Sequence, residues 1–263
     1  MARESAKKTL IVALSICIVC SFLVSLTAVS LKGMQEENKK RERIKNIIAA
    51  AGIPDEYQNS EDFFKNNIVP VVVDMKTSRV VSPEKLPFNS EDFDLESVLK
   101  KPDLLIPVPA ESDIAKIGKI PAYIVVYKVL KNDFVDKFIF PVYGKGLWST
   151  MYGYIALDKD LRTVTGITFY QHGETPGLGG EIDNKKWKKS WSGKQAFDIN
   201  GNMKIRVIKG KVKDNDPEKM YKINGLSGAT LTTRGVNNTV NFWLGPKGYG
   251  PYLDYLRRET GNE

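Results

Sequence analysis

Thr9 to Leu31, TLIVALSICIVCSFLVSLTAVSL, is a run of 23 residues without a charge. As a helix rising ~1.5 Å per residue it would reach roughly 35 Å, enough for the hydrocarbon core of a bilayer. A cleavable leader has a shorter apolar region, roughly 7–15 residues. Ala28-Val29-Ser30 is a passable cleavage site, so cleavage stays as the alternative. Val19 before Cys20 disfavours a lipoprotein anchor. The expected organisation is a tip and transmembrane anchor over residues 1–33, a helical linker and first lobe over 34–119, and the main domain over 120–263.

Charge limits the partners. The formal net charge is +8, and residues 1–43 carry +4 of it. The remainder is only mildly basic and has no basic stripe interleaved with aromatics, so no nucleic-acid partner is expected. Lys185-Lys186-Trp187-Lys188-Lys189 reads as a solvated amphipathic turn. Arg3, Lys7 and Lys8 precede the anchor; Lys32, Lys39, Lys40, Arg41 and Arg43 follow it, mixed with Glu36, Glu37 and Glu42. Taken literally, that balance would hold the main domain in the cytoplasm. Both cysteines, Cys17 and Cys20, lie inside the anchor, and His172 is the single histidine. A disulfide, an iron–sulfur cluster, a thiolate zinc site and a multi-histidine metal site are therefore excluded from the soluble part. The two cysteines share a helix face, and small buried apolar residues are their simplest reading.

The rest patterns as α+β. Met34 to Ala51 is charged and helical, with Ile44, Ile47 and Ile48 on one side, and Gly52-Ile53-Pro54 stops it. Asp55 to Asn67 suggests a short helix. Ile68 to Val73 is β-branched, and Pro70 makes it an edge strand. Ser82 to Pro109 reads as a long connection with a short helix near Leu95–Leu99. Ala122–Leu130, Phe134–Tyr143, Met151–Leu157 and Val164–Gln171 have strand character, and turn residues separate them at hairpin spacing. A largely antiparallel sheet follows, with a further strand at Met203–Ile208. Helices are expected at its periphery, near Asn184–Lys189, Pro217–Lys222, Thr230–Leu244 and Pro251–Arg258.

Three segments carry candidate chemistry. In Ser227-Gly228-Ala229-Thr230-Leu231-Thr232, small residues lead to a threonine at the start of a helical pattern. Free N–H groups and the positive dipole end there favour a phosphate, although plain helix capping fits the same residues. His172 to Gly180 holds four glycines and a proline after a strand. It offers Glu174, Thr175 and Leu178, and Gly177 and Gly179 permit close backbone approach to a flat ligand. Gly144 to Thr150 brings Trp148 and Ser149 between glycines and a strand. No βαβ frame surrounds these glycines, so they do not form a dinucleotide motif.

Asn224-Gly225-Leu226-Ser227-Gly228-Ala229-Thr230 resembles the flavinylation motif of the FMN-binding subunits of bacterial respiratory complexes. Gly144–Gly153 and His172–Gly179 resemble further segments of that family, and with the anchor the likeness spans most of the chain. The nearest likeness is to the C subunits of the sodium-translocating NADH:quinone oxidoreductases; the FMN-carrying G subunits of Rnf electron-transport complexes share the motif. The family motif usually opens with Asp, where this chain has Asn224. The resemblance implies one FMN joined by a phosphoester to Thr230, with residues 120–263 as the FMN-binding domain. Ser227, Gly228, Ala229, Leu231, Thr232, Trp148, Ser149, Glu174, Thr175, Gly177, Leu178 and Gly179 would lie around it. It implies an electron carrier in a sodium-pumping NADH:quinone reductase, with no NADH site or acid–base residue of its own. Its partners would be the other subunits, the membrane and a flavin transferase. The place implied is a single-pass protein of the bacterial inner membrane with its main domain extracytoplasmic, against the literal charge count. A cofactor-free membrane-anchored scaffold is the alternative from another class.

Overall fold

The computed structural model describes residues 6–54, 57, 61–82, 84, 86 and 93–260. The chain divides into two compact units, residues 1–43 and 44–263. Helix α1, Ala6–Ala50, supplies the first unit, and its apolar part is long enough to cross a membrane. Its last two turns belong to the second unit, where Ile44, Ile47, Ile48 and Ala50 are buried. Gly52, at φ +67°, then ends the helix in the left-handed region, followed by Pro54.

The second unit is built on one antiparallel sheet. Its strands are β1 (Ile68–Asp74) and β2 (Arg79–Val81), then β5 (Tyr123–Lys131), β6 (Phe134–Lys145), β7 (Thr150–Asp158) and β8 (Val164–Gln171). Their order is β2-β1-β5-β6-β7-β8. Two short pairs stand apart: antiparallel β3 (Leu105–Pro107) with β4 (Lys119–Pro121), and parallel β9 (Arg206–Val207) with β10 (Lys222–Ile223). The helices are α2 (Glu61–Asn67), α3 (Leu95–Leu99), α4 (Lys185–Lys189), α5 (Thr230–Leu244) and α6 (Gly250–Thr260). The β5–β6 hairpin turns through Asn132 and Asp133, both at positive φ, as a two-residue loop demands.

Both faces of the sheet are covered. Gly144 of β6 pairs with Met151, whereas Gly166 of β8 pairs with Ala156, so alternation puts the two glycines on opposite faces. A Cβ on Gly166 would lie 2.5 Å from the carbonyl oxygen of Ala50, so the end of α1 rests directly on one face. A Cβ on Gly144 would lie 2.1 Å from Oγ1 of Thr239, so α5 rests equally closely on the other. Trp243 of α5 fixes that contact by donating its indole N–H to the carbonyl of Tyr143 at 2.7 Å, and the Tyr249 hydroxyl donates to that of Pro141 at 2.7 Å. Buried aromatics thus reach their polar partners on the strand beneath them.

The α+β class, the antiparallel sheet and the apolar N-terminal helix agree with the sequence reading. Several details differ. β1 is not the sheet edge, because β2 lies outside it. β2 pairs only with Val72, Val73 and Asp74, so at Pro70 the strand has a neighbour on one side, which tolerates a missing N–H. The division expected at 119/120 falls within one unit: β1 and β5 pair along seven residues, joining the earlier segment to the later one. The expected strand at 203–208 shortens to β9, and the expected helix at 217–222 is a single 3-10 turn, Lys219–Tyr221, leading into β10. Of the helix expected over 55–67, α2 covers the last seven residues; 55, 56 and 58–60 lie outside the described residues.

Candidate functional site

The three segments meet at the buried carboxylate of Glu174. Trp148 donates its backbone N–H to Oε1 at 2.9 Å, and Thr232 of α5 donates its hydroxyl to Oε2. Burial alone would raise the Glu174 pKa; the Thr232 hydroxyl and the backbone N–H groups of residues 147–149 outweigh it and hold the value below the usual carboxylate range. The walls are glycines. A Cβ on Gly146 would stand 2.4 Å from Oε1, and one on Gly179 would stand 2.9 Å from Oε2. These positions admit no larger residue while the carboxylate stays in place.

Each loop is then tied on its own account. The tight turn 146–149 closes through Gly146 N–H to the Ser149 carbonyl at 2.8 Å. Ser149 Oγ accepts the Gly173 N–H at 2.6 Å, and the Trp148 indole N–H donates to Thr175 Oγ1 at 3.1 Å. His172 Nδ1 accepts the Glu174 N–H at 3.2 Å, which leaves Nε2 to carry the proton toward Asp183 Oδ2 at 2.8 Å. Gly177, at φ +74°, turns the glycine loop, and both Leu178 and Gly180 donate back to the Thr175 carbonyl.

Thr230 is the first residue of α5, and Ala229 before it makes no side-chain cap. The N–H groups of this first turn have no intrahelical acceptor. The capping reading therefore does not hold at Ser227 or Thr230. Gly228, at φ +72°, places its Cα where a Cβ would touch Leu178 Cδ2 at 3.1 Å, which seats the motif against the glycine loop. Thr230 is exposed, and on the converging segments Leu147, Trp148, Leu178 and Leu231 expose 43, 66, 45 and 52% of their surface.

The structure thus sorts the sequence candidates. Ser227, Gly228, Thr230, Leu231, Trp148, Thr175, Gly177 and Leu178 are exposed. Ala229, Thr232, Glu174 and Gly179 are buried, and Ser149 is half-buried with its hydroxyl engaged. Glu174 and Thr232 reach each other rather than outward. Sequence reasoning missed Leu147 and Gly235, and it took Gly146 only as one of the glycines of the Gly144–Thr150 segment. A Cβ on Gly235 would lie 2.6 Å from the Lys145 carbonyl oxygen. A glycine inside the helical pattern of α5 was the available signal for that close approach. Asn224 lies behind the site: its Oδ1 accepts the Val212 N–H at 2.7 Å and its carbonyl accepts the Trp187 indole N–H at 2.9 Å. A carboxylate oxygen could accept the same backbone N–H, so Asn in place of Asp preserves this contact.

A family model described as an FMN-binding domain matches residues 146–245, a span that contains the Thr230 motif, the glycine loop and all but the first two residues of Gly144–Thr150. The C subunit of the Na(+)-translocating NADH-quinone reductase of Pseudomonas aeruginosa is 42% identical over 259 residues, covering 97% of this chain and 98% of the relative. This chain belongs to the NqrC family. The corresponding protein of Yersinia pestis is 41% identical over 258 residues, covering 97% of this chain and 94% of that one. The crystal structure of Shewanella oneidensis NqrC superposes with a TM-score of 0.76 at 32% identity, covering 84% of this chain and 99% of that one. The structure of the same reductase component from Parabacteroides distasonis, at 23% identity and a TM-score of 0.63, shares the fold. The Pseudomonas aeruginosa and Yersinia pestis relatives carry the NADH-quinone reductase name, so the Rnf alternative is not favoured.

Proposed function

We propose that this NqrC-family chain carries one FMN covalently on Thr230 and relays electrons between other subunits of a sodium-translocating NADH:quinone reductase. Membership of the family supports the FMN, the complex and the electron-carrier role. The observation that favours Thr230 is the state of the neighbouring hydroxyls. Thr232 is 1% exposed and donates to Glu174, and the Thr233 hydroxyl accepts the Leu226 N–H at 3.0 Å. Thr230 alone of the three threonines is exposed, at a helix start whose N–H groups suit a phosphate.

The residues present fit the group. The open first turn of α5 would hold the phosphate, and the exposed Trp148, Leu178 and Leu231 would hold the flat ring. The flavin supplies the redox chemistry when bound; the chain supplies position and surroundings. The Trp148–Thr175 bond fixes an indole at the rim, and the Glu174–Thr232 bond keeps α5 and both loops at fixed separation. A covalent tether would keep the flavin on the chain while it exchanges electrons with partner subunits. Attachment requires a modifying activity, for which a flavin transferase is the expected class. The proposed setting is the inner membrane, with α1 retained as the anchor and residues 44–263 extracytoplasmic.

Tryptic mass mapping of the purified chain tests the attachment. One FMN residue should appear on the peptide containing Thr230 and vanish in Thr230→Ala. A label on Thr232 or Thr233 that persists in that variant would overturn the assignment. Protease added to intact spheroplasts should digest the large unit; protection until lysis would reverse the orientation. A mature N-terminus near Leu31 would show that the anchor is cleaved.

A further inference from the structure

The β1–β2 turn, the end of β3 and the loop leading into α6 surround an open cleft of about 510 Å³. It shares no residue with the site around Glu174. Four cations line it, Lys76, Arg79, Lys247 and Arg258, and no carboxylate does. Among the described residues none of the four belongs to an ion pair. Elsewhere in the same unit Lys222 is held between Asp216 and Glu218.

The Arg79 guanidinium lies 4.0 Å over the ring of Tyr255, which orients it while its N–H donors stay available. The remaining lining is mixed: Thr77 and Ser78 add hydroxyls, while Ile106, the buried Ile120 and four prolines are apolar. Prolines have fixed φ, so much of the wall is set before anything binds and little ordering is needed on binding. A matching occupant presents carboxylates to the four cations and apolar groups to Ile106, Ile120 and the prolines.

We infer that this cleft receives an acidic segment of another protein of the reductase assembly. Charge complementarity selects the partner's sign: unpaired like charges around one cleft repel each other, and Asp or Glu side chains relieve that. A polypeptide supplies carboxylates and apolar side chains together, and a member of a fixed assembly has such partners at constant stoichiometry. The exposed cations give the contact selectivity and a strong dependence on ionic strength. The inference rests on membership of the assembly and is independent of flavin attachment.

Carbodiimide treatment of the purified complex tests it, because the reagent joins lysine amines directly to neighbouring carboxylates. Mass spectrometry should find Lys76 or Lys247 joined to an Asp- or Glu-bearing peptide of another subunit, and high salt should suppress the product. K76R/K247R should lose the cross-link and keep the full set of partner subunits. K76E/R79E/K247E/R258E should lower the co-purifying subunits several-fold, while the chain keeps its flavin and its thermal melting point. Lysine cross-links formed only elsewhere, with an intact complex in the charge-reversed chain, would overturn the inference. So would protection of Lys76 and Lys247 from acetylation by millimolar phosphate in the isolated full-length chain equal to that in the complex. That result would assign the cleft to a small anion.

Discussion

The hydroxyl of Thr232 on α5 donates to the carboxylate of Glu174, 58 residues earlier in the chain. The other oxygen of that carboxylate accepts the backbone N–H of Trp148 at 2.9 Å. One side chain therefore joins the motif helix, the glycine loop and the β6–β7 turn. Removing it orphans a buried hydroxyl and a backbone N–H, each costing about 1–3 kcal/mol. Glu174→Ala should therefore destabilise the chain by about 2–4 kcal/mol and loosen the flavin's surroundings. Glu174→Gln should recover most of that loss, since its amide oxygen accepts from Trp148 and its N–H₂ can donate to Thr232. Denaturant unfolding of the detergent-solubilised chain measures both. Equal stability of Glu174→Ala and the parent would refute the junction.

The same carboxylate sets an acid limit. Its pKa is lowered in the folded chain from an ordinary 4.5, because its hydrogen bonds outweigh the burial that opposes them. A depressed folded value means that the stabilisation is fully present above the unfolded value and is lost as pH falls through the folded one. Stability should hold constant on this account above about pH 4.5 and fall below it. The Glu174→Gln chain should lack that part of the acid slope. Thermal melting across roughly pH 3–6 for both chains decides it, and parallel slopes would show that Glu174 does not contribute.

Much of this is legible in the sequence, and the exceptions have definite causes. β8 begins and ends at Val164 and Gln171 as the pattern predicts, because β-branched and aromatic residues run between turn residues. The three candidate loops do converge, but the sequence suggests ligand contacts for Glu174 and Thr232. Nothing in one sequence shows that a carboxylate will be closed off by a hydroxyl 58 residues away. Pro70 marks an edge in the sequence because proline lacks an N–H. The structure places a three-residue β2 beyond it that stops short of Pro70, a register that only tertiary pairing sets. The boundary expected near residue 119 fails for the same reason, since the β1–β5 pairing joins distant parts of the chain.

The seat of α5 on the sheet gives a stability prediction. Gly144 faces Thr239, whose hydroxyl also donates to the Gly235 carbonyl at 2.8 Å. Gly144→Ala would put a methyl group into Oγ1 and Cβ of this fully buried threonine, and should cost about 1–3 kcal/mol as an overpacked core does. Thr239→Ala removes Oγ1 and Cγ2 and leaves only Cβ close by, so Gly144→Ala/Thr239→Ala should be more stable than the sum of the single changes. A double-mutant cycle in denaturant should return a coupling of about 0.5–3 kcal/mol. Strict additivity would mean that the helix shifts freely and that Gly144 does not fix its height.

The last prediction concerns the exposed rim. Trp148, Leu178 and Leu231 are exposed on the segments that meet at Glu174, from which α5 and Thr230 start, and Trp148 is held by Thr175. If they form the ring surroundings of a flavin fixed at Thr230, changing them should alter its spectra without detaching it. Trp148→Ala should raise flavin fluorescence most, because an indole beside the ring quenches it. Thr175→Ala should act in the same direction more weakly, since it frees the indole without removing it. Leu178→Ala should shift the absorbance or midpoint potential by opening the ring to water. Gly177→Val should be harsher than all three, because a β-branched residue resists the φ of +74° that turns the glycine loop. The control is the mass label on Thr230, which should stay in every side-chain variant. Folded, labelled variants with unchanged spectra and potential would remove Trp148, Thr175 and Leu178 from the site, leaving Thr230 and the first turn of α5 as the whole of the cofactor contact.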